Sequence, residues 1–284
     1  MEKPRSKKKA ELVSKTISYI LLTLLAFFFF FPLIYMISTS LNPDEREIER
    51  QMGSARAFIP EQVSFENFRN VFDRMPFGRY LFNSIFIVGS TVFIGVFVNS
   101  MAAYGLARFT FAGRGALVSL VIALMIIPFE AIAIPLLLMT ARWGWLDSYH
   151  VQIIPFIANP FYLFLFYQFF IGFPVALEEA ALLDGAGWFK IFWKIALPLS
   201  KPIIASVAIL HFLMQWGMFL WPLMVTVGPE FRPLPVAMQV FFGQYPRLWG
   251  DIMAFAAMMT LPVIAVFVLL QGQYVRSVAQ SGIK

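Results

Sequence analysis

Residues 80–107 read YLFNSIFIVGSTVFIGVFVNSMAAYGLA, a stretch without a single Asp, Glu, Lys or Arg. A helix needs about 20 mostly apolar residues to cross roughly 30 Å of hydrocarbon, and this stretch exceeds that. It lacks the alternation, in segments of about ten residues, that marks an outer-membrane barrel strand. Five further runs behave alike: Thr16–Pro43, Gly115–Ala141 (interrupted only by Glu130), Val151–Leu177, Pro202–Pro229 and Ile252–Val275. The expected fold class is an all-α polytopic membrane helix bundle with six transmembrane helices.

Composition agrees. Of 284 residues, 60% are hydrophobic and 13% charged, with 33 Phe and 14 Met. A soluble domain carries roughly 25% charged residues. A soluble chain of this length cannot hide so much apolar surface. A soluble enzyme, a disordered chain and a disulfide scaffold are thereby excluded; there is no Cys. The net charge of +6 is a question of topology rather than a sign of nucleic acid.

Six Lys and Arg between Lys3 and Lys15 precede the first run, as in a signal peptide. The run is too long for a signal core and lacks a clear small-residue cleavage site. An uncleaved first span is expected. With the N-terminus inside, thirteen Lys and Arg fall in inner segments and nine in outer ones. Six of the outer nine share one long loop with seven acids, so the short loops decide. Both termini are expected in the cytoplasm. The segments are then a basic N-terminus (1–15), a first span (16–43), an extracytoplasmic loop (44–79), a five-helix core (80–275) and a C-terminal tail (276–284). An amphipathic helix is expected around Phe65–Phe72, and 228–250 reads as an outer loop rich in Pro, Gly and aromatics.

Residues 174–201, PVALEEAALLDGAGWFKIFWKIALPLSK, form a long inner loop with its own pattern. Pro174 suits a helix start, and Glu178 and Glu179 lie where negative charge complements the dipole. Asp184-Gly185 signals a turn. Trp188, Phe189, Ile191, Phe192 and Ile195 then recur near helical spacing, and Pro198 closes the second helix. Two short helices joined at Gly185 are expected at the inner membrane face. Periodicity alone fits either a membrane-surface connector or a docking element for a cytoplasmic partner. Glu178 reads as a solvated charge.

The spacing Glu179-Ala180-Ala181, three residues, Gly185, nine residues, Ile195, one residue, Leu197-Pro198 resembles the EAA loop. That loop marks the permease subunits of ATP-binding-cassette (ABC) importers that work with an external binding protein. Asn83-Ser84 and Ala103-Tyr104-Gly105-Leu106-Ala107-Arg108 are similar to the same family. Ile127-Pro128-Phe129-Glu130, followed by Ile134-Pro135-Leu136, resembles its carbohydrate-uptake branch. So do Trp216, Phe219, Trp221, Pro222 and Leu223, although Gly217 stands where that branch's motif usually has Asn. Gln271, Tyr274 and the terminal Gly282-Ile283-Lys284 are similar to the branch's tail. Residues 16–284 together look most like the six-span, smaller maltose-type sugar permease, with the type I importer fold.

The resemblance implies a permease subunit in a bacterial or archaeal plasma membrane that moves a sugar or oligosaccharide. Its implied partners are a second permease chain, two ABC ATPase subunits, an extracytoplasmic solute-binding protein and the lipid bilayer. ATP and Mg would be bound by the ATPases, with no cofactor on this chain. No phosphate-cradling G-x-x-x-x-G-K-[ST] motif is present. The ATPase-docking residues implied are Glu179, Ala180, Ala181, Asp184, Gly185, Ala186, Phe189, Ile195, Leu197 and Pro198.

Candidate pathway residues follow from their position. Glu130 is the acid placed well inside a span, where a carboxylate usually faces the bundle or water; the branch resemblance implies a structural or gating role. Gln215 and Trp216 lie in span five and pair an amide with an aromatic face, as sugar sites do; packing is the commoner use of such a Trp. Asn159, Tyr162 and Gln168 lie on span four near Pro160. His150 and His211 lack clustered partners, so no metal site is expected. Two other classes compete. A secondary transporter or channel working without an ATPase favours inverted repeats and intramembrane charges. A membrane enzyme needs a converging nucleophile, base or metal. The sequence shows no repeat, one intramembrane carboxylate and no converging catalytic set, and neither class accounts for the EAA-like loop.

Overall fold

The computed structural model describes residues 4–281, and the described residues form helices with no strands. The terminal Gly282-Ile283-Lys284 lies outside them, as do the side chains of Tyr274 and the first ten residues. In chain order the helices are α1 (Pro4–Leu41), α2 (Glu45–Gln51), α3 (Glu66–Arg74), α4 (Phe77–Arg108), α5 (Arg114–Leu124), α6 (Phe129–Arg142), α7 (Tyr149–Ile157) and α8 (Pro160–Ile171). There follow α9 (Val175–Leu183), α10 (Trp188–Ile191), α11 (Leu197–Leu199), α12 (Lys201–Trp216), α13 (Leu220–Val225), α14 (Leu234–Phe242) and α15 (Trp249–Ser281). Among the described residues four helices are long and apolar enough to cross a membrane, or up to six spans if each of two bent pairs counts as one.

The third span is not one rod. Its halves α5 and α6 meet at 101°. Pro128, in extended conformation, precedes α6 and has no N–H to continue α5. The 228–250 segment is not all loop either: its apolar stretch LPVAMQVFF forms α14.

The chain divides into two compact units, residues 1–75 with 241–258 and residues 76–240 with 259–284. In the first, α1 is exposed from Glu11 to Pro32. Its end is held by Asn67 of α3, whose amide donates to the carbonyls of Ser40 (3.0 Å) and Asn42 (2.7 Å). Arg74 on α3 pairs with buried Asp251 at 2.7 Å, and Asn70 donates to the same carboxylate at 3.1 Å. Glu45 accepts the N–H groups of Trp249 and Gly250, where α15 begins and needs acceptors. The loop acids and arginines are thus partly spent on tying unit one together.

In the second unit α4 carries a buried stripe, Tyr80, Ser84, Ile87, Thr91, Gly95, Asn99 and Ala103, at spacings of three and four. Small and polar residues on such a stripe let membrane helices approach and hydrogen-bond. Gly95 is required there: a Cβ would sit 2.7 Å from His211 Cε1 and 3.0 Å from the Ile157 carbonyl. Asn83 donates to the carbonyls of Glu230 and Arg232, and Ser84 accepts the Leu234 N–H, so the motif pair fastens the chain after α13. Among the described residues this unit holds two hydrophobic clusters. One gathers Tyr104, Phe166, Phe170, Phe173, Phe192 and Val207. The other gathers Val151, Trp221 and Val225, with Phe129 and Phe156 against them.

Between α7 and α8 the fourth span is interrupted at Ala158-Asn159. Asn99 repairs the gap. Its Nδ2 donates to the Ile157 carbonyl at 2.8 Å, and its Oδ1 accepts the Asn159 N–H at 2.9 Å.

Candidate functional site

Phe173 and Pro174 turn the chain out of α8 and into α9. Glu178, one turn into α9, is buried rather than solvated. Arg108, the last residue of α4, reaches both its oxygens, at 2.9 Å and 2.7 Å. The Tyr104 hydroxyl donates to the same carboxylate at 3.0 Å. The guanidinium also donates to the Phe173 carbonyl at 2.8 Å and lies over the Phe173 ring. A buried ion pair is favourable only with further hydrogen bonds around it, and here the Tyr104 hydroxyl and the Phe173 carbonyl supply them. The expectation of a solvated Glu178 is corrected: the acid is a clamp between α4 and α9. The sequence signal was Tyr104 and Arg108, four apart and so on one helix face.

At the far end α9 closes in a Schellman motif. The Ala186 N–H donates to Ala181 O at 2.9 Å, and Gly185 N–H to Leu182 O at 3.0 Å. Gly185 adopts φ +78°, which L-residues avoid. A Cβ there meets nothing within 4 Å, so the constraint is backbone, not space. Gly185→Val is expected to destabilise this turn by about 1–2 kcal/mol. Hydrogen exchange checks this: the amides of 185 and 186 should lose protection while α8 amides keep theirs.

The second helix does not stop at Pro198. α10 passes through a π-helical stretch, Phe192–Ala196, into α11, and the chain breaks only at Ser200. In the wide turn the Leu197 N–H bonds the Phe192 carbonyl. That register change accommodates a proline ring that would clash in a regular α-helix. Beyond Ser200, α12 leaves at 77° to the preceding helix. The inner face of this helix, Ile191, Phe192 and Ala196, is buried in the core.

The motif residues divide accordingly. Glu179, Ala180, Asp184, Gly185, Phe189 and Pro198 are exposed, while Ala181, Ala186, Ile195 and Leu197 are half-buried. Leu183 is 89% exposed and Phe189 69%, so the loop carries bare apolar side chains beside two acids. The apolar pair, the acids and a rigid base form a surface suited to a partner groove.

The pathway candidates have other placements. Asn159 caps α8, accepting the N–H groups of Phe161 and Tyr162. Tyr162 is buried against His211, with ring centroids 4.4 Å apart. Gln168 is exposed. Glu130 is exposed in the first turn of α6, where its charge faces free helix N–H groups. Gln215 and Trp216 are buried and line a cavity with Ser84 and Gln152. Neither Asn159, Tyr162 nor Glu130 lines it. Among the described residues no group of three His, Asp or Glu is placed to hold a metal.

Residues 92–280 match the family described as binding-protein-dependent transport system inner membrane component. The chain is 31% identical over 273 residues to the arabinooligosaccharides transport system permease protein AraQ of Bacillus subtilis (strain 168), covering 96% of this chain and 95% of that one. It is 28% identical to the trehalose/maltose transport system permease protein MalG of Thermococcus litoralis, covering 97% and 99% of the two chains. It is 32% identical to the sn-glycerol-3-phosphate transport system permease protein UgpE of Yersinia enterocolitica, covering 72% and 74%. Its fold matches a chain in the crystal structure of a bacterial ABC transporter involved in the import of the acidic polysaccharide alginate. The TM-score there is 0.82 at 24% identity, over 93% of this chain and 98% of that one. With the membrane helices, the EAA-like loop and these matches together, the chain belongs to the family of inner membrane components, the permeases, of binding-protein-dependent transport systems.

Proposed function

We propose that this permease carries a sugar or oligosaccharide inward, and that the loop 174–201 is where ATPase subunits drive it. The observation that carries the reading is the loop's construction. Its base is locked to α4 through Arg108 and Glu178, while Glu179, Leu183 and Phe189 are exposed. A partner seated on the free face moves a rigid lever rather than a flexible loop, and α4, α8 and α12 receive the motion. The relatives named for arabinooligosaccharides and for trehalose and maltose support a carbohydrate; the glycerol-3-phosphate relative keeps the shared class a polyhydroxylated solute.

In this reading the loop and both termini lie in the cytoplasm, on the side richer in Lys and Arg. A second permease chain completes the pathway, and a solute-binding protein delivers the solute from outside. ATP and Mg are handled by the ATPases, and this chain performs no chemistry of its own.

The test is a detergent pull-down of tagged protein scored for a bound ATPase. Wild type should retain one. Glu179→Arg, a change at an exposed position, should keep its membrane level and lose ATPase binding by roughly tenfold, the loss of one charge-assisted contact. Wild type that brings down no ATPase under several mild detergents would overturn the reading.

A further inference from the structure

Gln152 on α7 and Trp216 at the end of α12 are both buried, at 1% and 5% exposure. The Gln152 Nε2 donates to the carbonyls of Phe231 (2.9 Å) and Ser148 (3.3 Å). Those two acceptors fix the amide orientation, since the amide oxygen could bond neither. Gln152 Oε1 is then left as an acceptor without a partner among the described residues, and Trp216 Nε1 is a donor in the same condition. Both side chains line one cavity of about 10 Å³. Its other walls are Gln215, Ser84, whose hydroxyl accepts the Leu234 N–H, apolar residues such as Ile87 and Val88, and Trp221, whose N–H bonds the Val151 carbonyl; none of them bonds Oε1 of Gln152 or Nε1 of Trp216.

Buried donors and acceptors are satisfied in nearly all native structures, so an unmatched pair sharing one cavity calls for a common partner. The space is that of a single oxygen, since a water needs about 10–15 Å³ by this measure. The occupant must accept from the indole and donate to the amide oxygen. A hydroxyl group does both at once; a carbonyl, an ammonium or a methyl does not.

We propose that Gln152 and Trp216 form a single-hydroxyl site within the membrane-spanning part of the permease, taking one O–H as acceptor from Trp216 and donor to Gln152. The hydroxyl belongs either to a water held in the fold or to a polyhydroxylated solute. The second source rests on the function proposed above, and the first does not.

The experiment uses the assembled transporter in lipid nanodiscs with ¹⁵N-labelled Trp, and assigns the Trp216 indole N–H through Trp216→Phe. A cross-peak from that proton to water without solute, lost in Gln152→Leu, establishes the water source. No such cross-peak, but an indole shift on adding arabinotriose that Gln152→Leu abolishes, establishes the solute source. An indole signal that meets neither water nor arabinotriose overturns the proposal, as does one that ignores Gln152→Leu. The water arm needs no solute, so a water cross-peak lost in Gln152→Leu establishes the site whatever the substrate class. Unchanged indole signals from Trp143, Trp188 and Trp249 in Gln152→Leu guard against loss through misfolding.

Discussion

Replacing Arg108 with Ala is expected to reduce solute uptake in reconstituted proteoliposomes by more than tenfold and to destabilise the permease by about 3–5 kcal/mol, the usual cost of removing one partner of a buried ion pair. The change strands the Glu178 carboxylate, which is 2% exposed, with only the Tyr104 hydroxyl left to it. It also frees the Phe173 carbonyl at the entry to α9. With base and partner both gone, α9 no longer follows α4. Glu178→Ala should do comparable damage by stranding the guanidinium. The double change Arg108→Met with Glu178→Met removes both charges and refills the space, so thermal stability should return most of the way. Near-normal uptake and stability in Arg108→Ala would show that the clamp does not transmit motion.

The second large effect is expected at Asn99. Asn99→Leu keeps the shape but leaves the Ile157 carbonyl and the Asn159 N–H without partners inside the bundle. At about 1–3 kcal/mol for each unsatisfied group, the loss is about 2–6 kcal/mol. In hydrocarbon no water replaces the missing bonds, so the gap between α7 and α8 must rearrange. Asn99→Asp keeps the acceptor for Asn159 and loses the donor for Ile157, and should fall between wild type and Leu. Thermal unfolding in nanodiscs ranks the three. A Leu variant as stable as wild type would mean that the interruption in span four is held by packing alone.

The membrane runs were legible because the bilayer forbids charge over a long stretch, and that leaves a mark in any sequence. Where a run bends is written more faintly. Pro128 announced a break, yet the 101° angle between α5 and α6 depends on packing that an uncharged run does not encode. Asn159 was offered as a pathway candidate and Pro160 as a local break; the span is interrupted there, with Asn159 capping the helix that Pro160 opens. Glu178 was misread because a helix-start acid is usually solvated, and its partner lies 70 residues earlier. Pro198 was expected to end its helix, but a π-helical stretch makes room for it. The turn at Gly185 was legible because Asp-Gly states its own backbone demand.

The central claim is that the tip of α9 meets an ATPase. The chain has no Cys, so one can be introduced without removing others. Leu183→Cys places a thiol at the exposed end of α9, and Val63→Cys places one in the loop assigned to the opposite side. Treated with a short bis-maleimide in the assembled complex, Leu183→Cys should give an adduct with the ATPase subunit and Val63→Cys none. An ATPase adduct from Val63→Cys, or its absence from Leu183→Cys in a complex that retains the ATPase, would contradict the account.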